Sequence, residues 1–318
     1  MNDESWTITL TPEQLEELDA VITPHVVGRD WRSSPEPSLH LLSWTSLLGD
    51  LCQRLEGGIG FARLRGLDLW QHSVDEARWM LWAIGTNLGH PEPQDAAGNL
   101  LHDVRDTGRD LSGDDIRSYQ TNLPINYHND GADAFMLLCY RAAGRGGSSR
   151  LVSAVSVFNI ILQRQPELAT VLQQSFHFDA RGQQSPGAPP YQRIPIYSFF
   201  QGHLNVLYKR EYIDLAQRFP EVPELTPAQV EALDLMDEIC DELAMELVME
   251  PGDIIVANNY DVLHARSAFE DIVGESVEGR HMLRLWLSLP NGRPLPPAFE
   301  HTREFFHSYR RRQARDGQ

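Results

Sequence analysis

Between residues 55 and 290 the chain is a succession of short apolar runs set off by Gly, Pro, Asn and Asp, and that limits the folds open to it. Such runs read as strands. They cover 59–67 (IGFARLRGL), 134–141 (AFMLLCYR), 196–200 and 204–208 around Gly202, 254–257 after a Pro251-Gly252-Asp253 turn, and 280–289. Residues 118–127 read as a further strand leading into His128. Helical signals do not alternate with these runs one for one, as a parallel βαβ sheet would require. The pattern predicts one domain over residues 1–318, a mainly β core of antiparallel jelly-roll type over roughly 55–290, with helical decoration and helical N- and C-terminal extensions.

The helices announce themselves by their ends. Thr11-Pro12-Glu13 and Ser73-Val74-Asp75-Glu76 are start signals, the second for a helix reaching about residue 88. Gly57 and Gly58 stop a helix over 40–55, and apolar residues after Ser153 suggest another to 162. Thr226-Pro227-Ala228-Gln229 opens an amphipathic helix to about 246, with Val230, Leu233, Met236, Ile239, Cys240 and Leu243 at helical spacing. A short helix over 167–174 and a basic, aromatic one from Arg303 complete the set. Residues 100–113, rich in Asp, Gly and Arg, and 183–195, rich in Pro, Gly and Gln, have loop composition.

Composition excludes several functions. Net charge is -18, from 45 acidic and 27 basic residues, so a nucleic-acid backbone is not an expected partner. The acidity serves solubility, or steers a cationic substrate. No apolar run suits a bilayer, and Met1-Asn2-Asp3-Glu4-Ser5 lacks a signal-peptide pattern, so a cytoplasmic protein is expected. Cys52, Cys139 and Cys240 are scattered without CxxC spacing, which points to neither a disulfide framework nor a zinc cluster.

Chemistry concentrates in two distant segments, Tyr127-His128-Asn129-Asp130 and Asn259-Tyr260-Asp261-Val262-Leu263-His264. In extended chain His128 and Asp130 project to one face, with Asn129 pointing away. Two histidines and a carboxylate suit a non-haem Fe(II) site with open positions. His90/Glu92 and His177/Asp179 share the spacing, but the first sits in a Pro-containing turn and the second alternates with Phe176 and Phe178 on an ordinary strand. Arg284 lies inside the apolar run His281-Met282-Leu283-Arg284-Leu285-Trp286-Leu287, where a charge needs a partner: a structural carboxylate, or the carboxylate of a co-substrate.

The ordered segments HND, GGSSRLVSA, GDIIVANNYDVLHAR and RHMLRLWL resemble the taurine dioxygenase/TfdA-like family of Fe(II)- and 2-oxoglutarate-dependent dioxygenases, and GFARLRGL resembles its N-terminal strand. The ordered set is far more specific than HxD alone. The resemblance implies a double-stranded β-helix (cupin-like jelly roll), with His128, Asp130 and His264 as iron ligands. It implies 2-oxoglutarate held by Arg284, with Arg280 as the alternative, and by Ser149, with Ser148 as the alternative. O2 would be the third reactant, and succinate and CO2 the co-products of hydroxylating a small molecule. Asp130 is retained, which disfavours halogenation; desaturation and cyclisation stay open. Tyr119, Gln120, Asn122, Tyr127 and Arg266 are candidate substrate contacts, residues 197–210 a candidate wall, and 100–113 a candidate lid.

Two other classes stay open at this level: a catalytically silent jelly-roll ligand-binding protein, and a hydrolase using the same triad with zinc-bound water. A hydrolase has no need of a carboxylate clamp beside the metal. The aromatic tail (Phe305, Phe306, Tyr309) packs on its own domain or on a second copy, so a homo-oligomer also stays open.

Overall fold

The computed structural model describes residues 5–26, 39–108, 118–184, 187–271 and 279–316. Two sheets form the centre. The larger, seven-stranded, runs from Thr7–Thr9 through Phe61–Arg65, Ile254–Asn258 and Ala134–Arg141 to His281–Ser288, which also pairs with His90–Pro91 and Leu101–Val104. The four-stranded sheet has the order Met245–Leu247, Ser149–Ser153, Val262–Arg266, Ile125–His128. All these pairings are antiparallel except that of Thr7–Thr9 with Phe61–Arg65. This is the expected jelly roll.

Period-2 alternation explains why both faces of the large sheet are apolar. Leu283, Leu285 and Leu287, with Met136, Leu138, Ile254 and Val256, pack outward against Pro12–Val26, Thr45–Gly57 and Val74–Leu88. Met282, Trp286, Phe135, Cys139 and Ile255 face inward and meet Leu151, Leu247 and Val262 of the small sheet. Outside the small sheet, Val152, Leu263 and Ala265 pack among residues of Ala154–Arg164 and Pro227–Leu243. The inward row of His281–Ser288 therefore includes Arg284, placed by alternation among core residues.

Both strong start signals are full capping boxes, Ser73 with Glu76 and Thr226 with Gln229. Three local expectations need correction. Tyr191–Pro195 is a strand rather than loop, because Ser175–Asp179 pairs with it over its whole length. The strand before His128 is only Ile125–His128, preceded by a 3-10 turn at Ser118–Gln120. Within 100–113, Leu101–Val104 is a strand on the edge of His281–Ser288, and the rest of the expected lid, from residue 109, lies outside the described residues. The tail helix begins at Phe306 and packs on its own chain: Ser308 bonds Ser288 at 2.7 Å, and Arg312 pairs with Asp133 at 2.8 Å. No helix among the described residues is long and apolar enough to cross a membrane.

Candidate metal centre

His128 closes one strand of the small sheet and His264 sits on its neighbour, paired with it in register. Asp130 follows two residues on. One ligand atom from each of the three lies within 4.8 Å of the others, the one such cluster among the described residues. The imidazole centroids are 4.1 Å apart, and His264 Nε2 is 3.8 Å from Asp130 Oδ2.

Backbone braces hold this geometry. Asn129 turns away, and its Oδ1 accepts the Tyr208 N–H at 2.7 Å. Asn259 Oδ1 accepts the Asp130 N–H at 3.1 Å, while its Nδ2 donates to the Gly131 carbonyl at 2.5 Å. The turn before His264 thus grips the turn after Asp130. Gly131 is required there, since a Cβ would lie 2.4 Å from the Trp286 ring and 2.9 Å from the Glu304 carbonyl.

Electrostatics suit a cation. Burial pushes the His128 imidazole down to about 4 and His264 well below the usual range, so both rings are neutral ligands at pH 7. His128 Nδ1 faces the Asn126 carbonyl at 2.8 Å, which leaves Nε2 as the free donor. Burial would raise the Asp130 carboxyl, but Arg284, then His264 and His128, hold it well below the usual carboxylate range. Neutral imidazoles and an ionised carboxylate at these distances fit a divalent metal.

The two strand arginines have different surroundings from those expected. Arg284, the expected clamp for 2-oxoglutarate, pairs with Asp130 in this structure. Its Nη1 donates to both Asp130 oxygens at 2.9 and 3.0 Å, its Nε to Gln94 Oε1 at 2.8 Å, and the guanidinium lies between Tyr119 and Trp286. Arg280 is buried, with Nη1 lacking a hydrogen-bond partner among the described residues; Arg266, also buried, has Nε and Nη1 unpaired. Both guanidiniums lie over the Phe269 ring. Burial, and then the mutual repulsion of the pair, pushes Arg266 down to about 9; burial takes Arg280 down to about 10. These cations stay charged at pH 7; Asp106 acts on Arg266 and Asp271 on Arg280 through charge, yet the three nitrogens just named make no hydrogen bond among the described residues. Gly147, at φ 71°, lets Arg280 lie against the backbone, since a Cβ would stand 3.0 Å from its Nε. Ser149 is buried in register with Arg266, one inward layer from the Leu151–His264 pair. Ser148 is bonded to Ser267 instead.

Candidate substrate contacts divide similarly. Tyr119 lines a cleft beside His128 and Asp130, with its hydroxyl 3.2 Å from His102 Nδ1. Tyr127 points its hydroxyl outward to Asp241 at 3.1 Å, because alternation puts it on the opposite face from His128. Gln120 braces a loop through its carbonyl, which accepts from Thr107, and Asn122 is exposed, its carbonyl accepting from Phe269. Arg266 donates to the Thr121 carbonyl and sits with Arg280, not in the cleft. The cleft instead uses Lys209, Arg210, Tyr212, Trp286 and Arg303, of which the sequence reading reached only the first two, through the candidate wall. The rejected pairs are elsewhere: Glu92 binds Arg311, and Asp179 binds Arg218.

A family model described as "Taurine catabolism dioxygenase TauD, TfdA family" matches residues 22–286. The chain belongs to the TauD/TfdA family. It is accordingly an Fe(II)- and 2-oxoglutarate-dependent oxygenase. Its relatives include FR-33289 synthase of Streptomyces rubellomurinus, 34% identical over 260 residues, covering 79% of this chain and 75% of the relative. Taurine hydroxylase-like protein SAT17 of Stachybotrys chartarum is 25% identical over 303 residues, 89% of this chain and 75% of the relative. Among solved TauD-like folds, asparagine oxygenase with Fe(II), hydroxyasparagine and succinate superposes at TM-score 0.65 and 16% identity, over 89% of this chain and 94% of that one. The oxygenase OrfP with Fe and alpha-ketoglutaric acid superposes at 0.66 and 15%, over 89% and 93%.

Proposed function

We propose that this enzyme hydroxylates a C–H bond of a small, amino-acid-like or biosynthetic organic molecule, with His128, Asp130 and His264 holding Fe(II) and the Arg266–Arg280–Ser149 layer holding 2-oxoglutarate. The observation that carries the reading is the juxtaposition of a cation site with a buried, anion-seeking arginine pair. Arg266 lies two residues beyond His264 on the same inward face, about 7 Å along the strand. That is the reach of a short dicarboxylate with one end at the metal. Iron(II) with 2-oxoglutarate supplies the oxidising power of O2 to a substrate C–H bond, leaving succinate, CO2 and the alcohol.

The chain's own contribution is placement. Arg280 and Arg266 fix one carboxylate by charge-assisted hydrogen bonds, supported by the Ser149 hydroxyl. Arg284 keeps Asp130 ionised and oriented, and Gln94 keeps Arg284 in place by donating to the Arg284 carbonyl while accepting from its Nε. Tyr119 and Trp286 wall the cleft. The ligands of the structural neighbours, hydroxyasparagine and (3S)-hydroxy-L-Arg, support a substrate of amino-acid size.

The test is anaerobic addition of Fe(II) and then 2-oxoglutarate to the metal-free protein, watching for the visible charge-transfer band of the chelate. The band is expected in the wild type, absent in His264→Ala, and displaced to much higher 2-oxoglutarate in Arg280→Ala. A wild type without the band overturns the reading.

A further inference from the structure

The cleft beside the metal ligands is lined by four cations, Lys209, Arg210, Arg284 and Arg303, in a molecule of net charge -18. Three of them have evident partners. Arg284 binds Asp130. Arg210 turns to Asp214, Asp234 and Asp237. Lys209, which bridges to His128 through the backbone, pairs with buried Glu304 at 2.9 Å. Besides Asp130, the acid lining the cleft is Glu211, which accepts from Ser118 at 2.9 Å.

Arg303 is only partly paired: its guanidinium bonds the Tyr212 side chain and lies over that ring. Its Nε and Nη1 are buried and make no hydrogen bond among the described residues. Its Nε stands 3.5 Å from Glu304 Oε1, but that carboxylate already takes bonds from Lys209 and from Gln192 at 2.8 Å. Two buried cations therefore share one anion. A buried guanidinium with unpaired donors is costly unless something else pairs with it. The indole N–H of Trp286, on the same cleft, likewise has no partner among the described residues.

The position of Arg303 is fixed from both sides. Its own N–H donates to Gln192 Oε1 at 2.8 Å. The next residue's carbonyl accepts the Ala132 N–H at 2.8 Å, close after Asp130. Phe305 then stacks on Phe299 against Tyr260. A floppy surface arginine would need none of this. We propose that Arg303 is a specificity-determining residue, whose guanidinium pairs with an oxyanion on the substrate and so orients it towards the metal. This rests on the proposed oxygenase reading and adds the charge of the substrate to it. The shared chemistry is a carboxylate or a phosphonate, both matched by the guanidinium fork.

Because the substrate is unidentified, the probes are n-butyrate, propylphosphonate, n-butylamine and n-butanol. Each is titrated anaerobically into the Fe(II)–2-oxoglutarate enzyme, and perturbation of the visible chelate band reports occupancy. In wild type the two anions are expected to saturate at concentrations roughly tenfold or more below the amine and the alcohol, the usual size for a charge-assisted hydrogen bond. Arg303→Gln should abolish that preference and leave the 2-oxoglutarate titration unchanged; Arg303→Lys should retain part of it. Tighter butyrate or tighter propylphosphonate sustains the proposal and selects the oxyanion. Equal binding of all four probes in wild type, or a preference that survives in Arg303→Gln, overturns it. Should Arg303→Gln lose the chelate band through misfolding, wild type and Arg303→Lys decide: an anion preference undiminished in Lys, which cannot reproduce the fork, counts against it. Absence of the band in wild type is a different failure, that of the oxygenase reading itself.

Discussion

Two neighbouring layers inside the same barrel treat charge in opposite ways. At the level of His128, Asp130 and His264, the carboxylate is matched by Arg284 and the imidazoles are neutral. One layer away, Arg266 and Arg280 sit buried over one phenylalanine ring with N–H groups that find no partner among the described residues. In the proposed reading the first layer takes a cation and the second an anion. What separates them is a single pair of residues on one strand, since Arg280 and Arg284 share a face and only Arg284 reaches Asp130.

The sharpest way to break the comparison is to remove a metal ligand. His264→Ala should eliminate Fe(II) binding in a metal titration, yet leave folding near wild type in a thermal melt without metal. Next comes the anion layer. Arg280→Ala should raise the 2-oxoglutarate concentration needed for half-saturation by about 100-fold, as for loss of a buried charge-assisted pair. Fe(II) affinity should hardly move. If Arg284→Ala gave that signature and Arg280→Ala did not, the roles of the two arginines would be reversed.

A pH experiment sharpens the contrast with the cleft mouth. Burial would raise the Glu304 carboxyl, but Lys209 and then Arg303 bring it down to about 2. A lowered folded value means the unfolded chain takes up the proton first. Glu304 therefore stabilises the fold fully above about pH 4.5, and that contribution fades as pH falls towards 2; it is about 3 kcal/mol at most. Denaturant melts of Glu304→Gln should show a shallower loss between pH 4.5 and 2. Gly131→Ala should cost roughly 1–3 kcal/mol by driving a methyl into Trp286, read as a lower Tm. The smallest effect belongs to Tyr127→Phe, within about 1 kcal/mol and without change in Fe(II) or 2-oxoglutarate titrations.

The legible part of this protein was local. Alternation put His128 and Asp130 on one face, and the Asn259 turn supplied the brace that an Asn-rich turn can supply. The capping boxes at Ser73 and Thr226 marked helix starts because their chemistry spans three residues. What escaped depended on distant partners. Tyr191–Pro195 looked like loop between prolines until Ser175–Asp179 paired with it. Arg280 and Arg284 are equivalent to any periodic reading, and Gln94, 190 residues from Arg284, helps hold the one that faces Asp130. Lys209 and Arg303 meet at Glu304, 95 residues from the lysine, and over the Tyr212 ring.

That last link has a consequence for how the enzyme is made. The metal ligands and both inner arginines are present once residue 284 has been synthesised. The counter-charge of Lys209, the acceptor for the Ala132 N–H and the cleft's Arg303 all arrive with residues 303 and 304. A ribosome therefore delivers the last part of the cleft wall after the metal site. A message truncated between the two would yield a chain carrying every proposed iron ligand, with Lys209 stranded and no finished chamber around it.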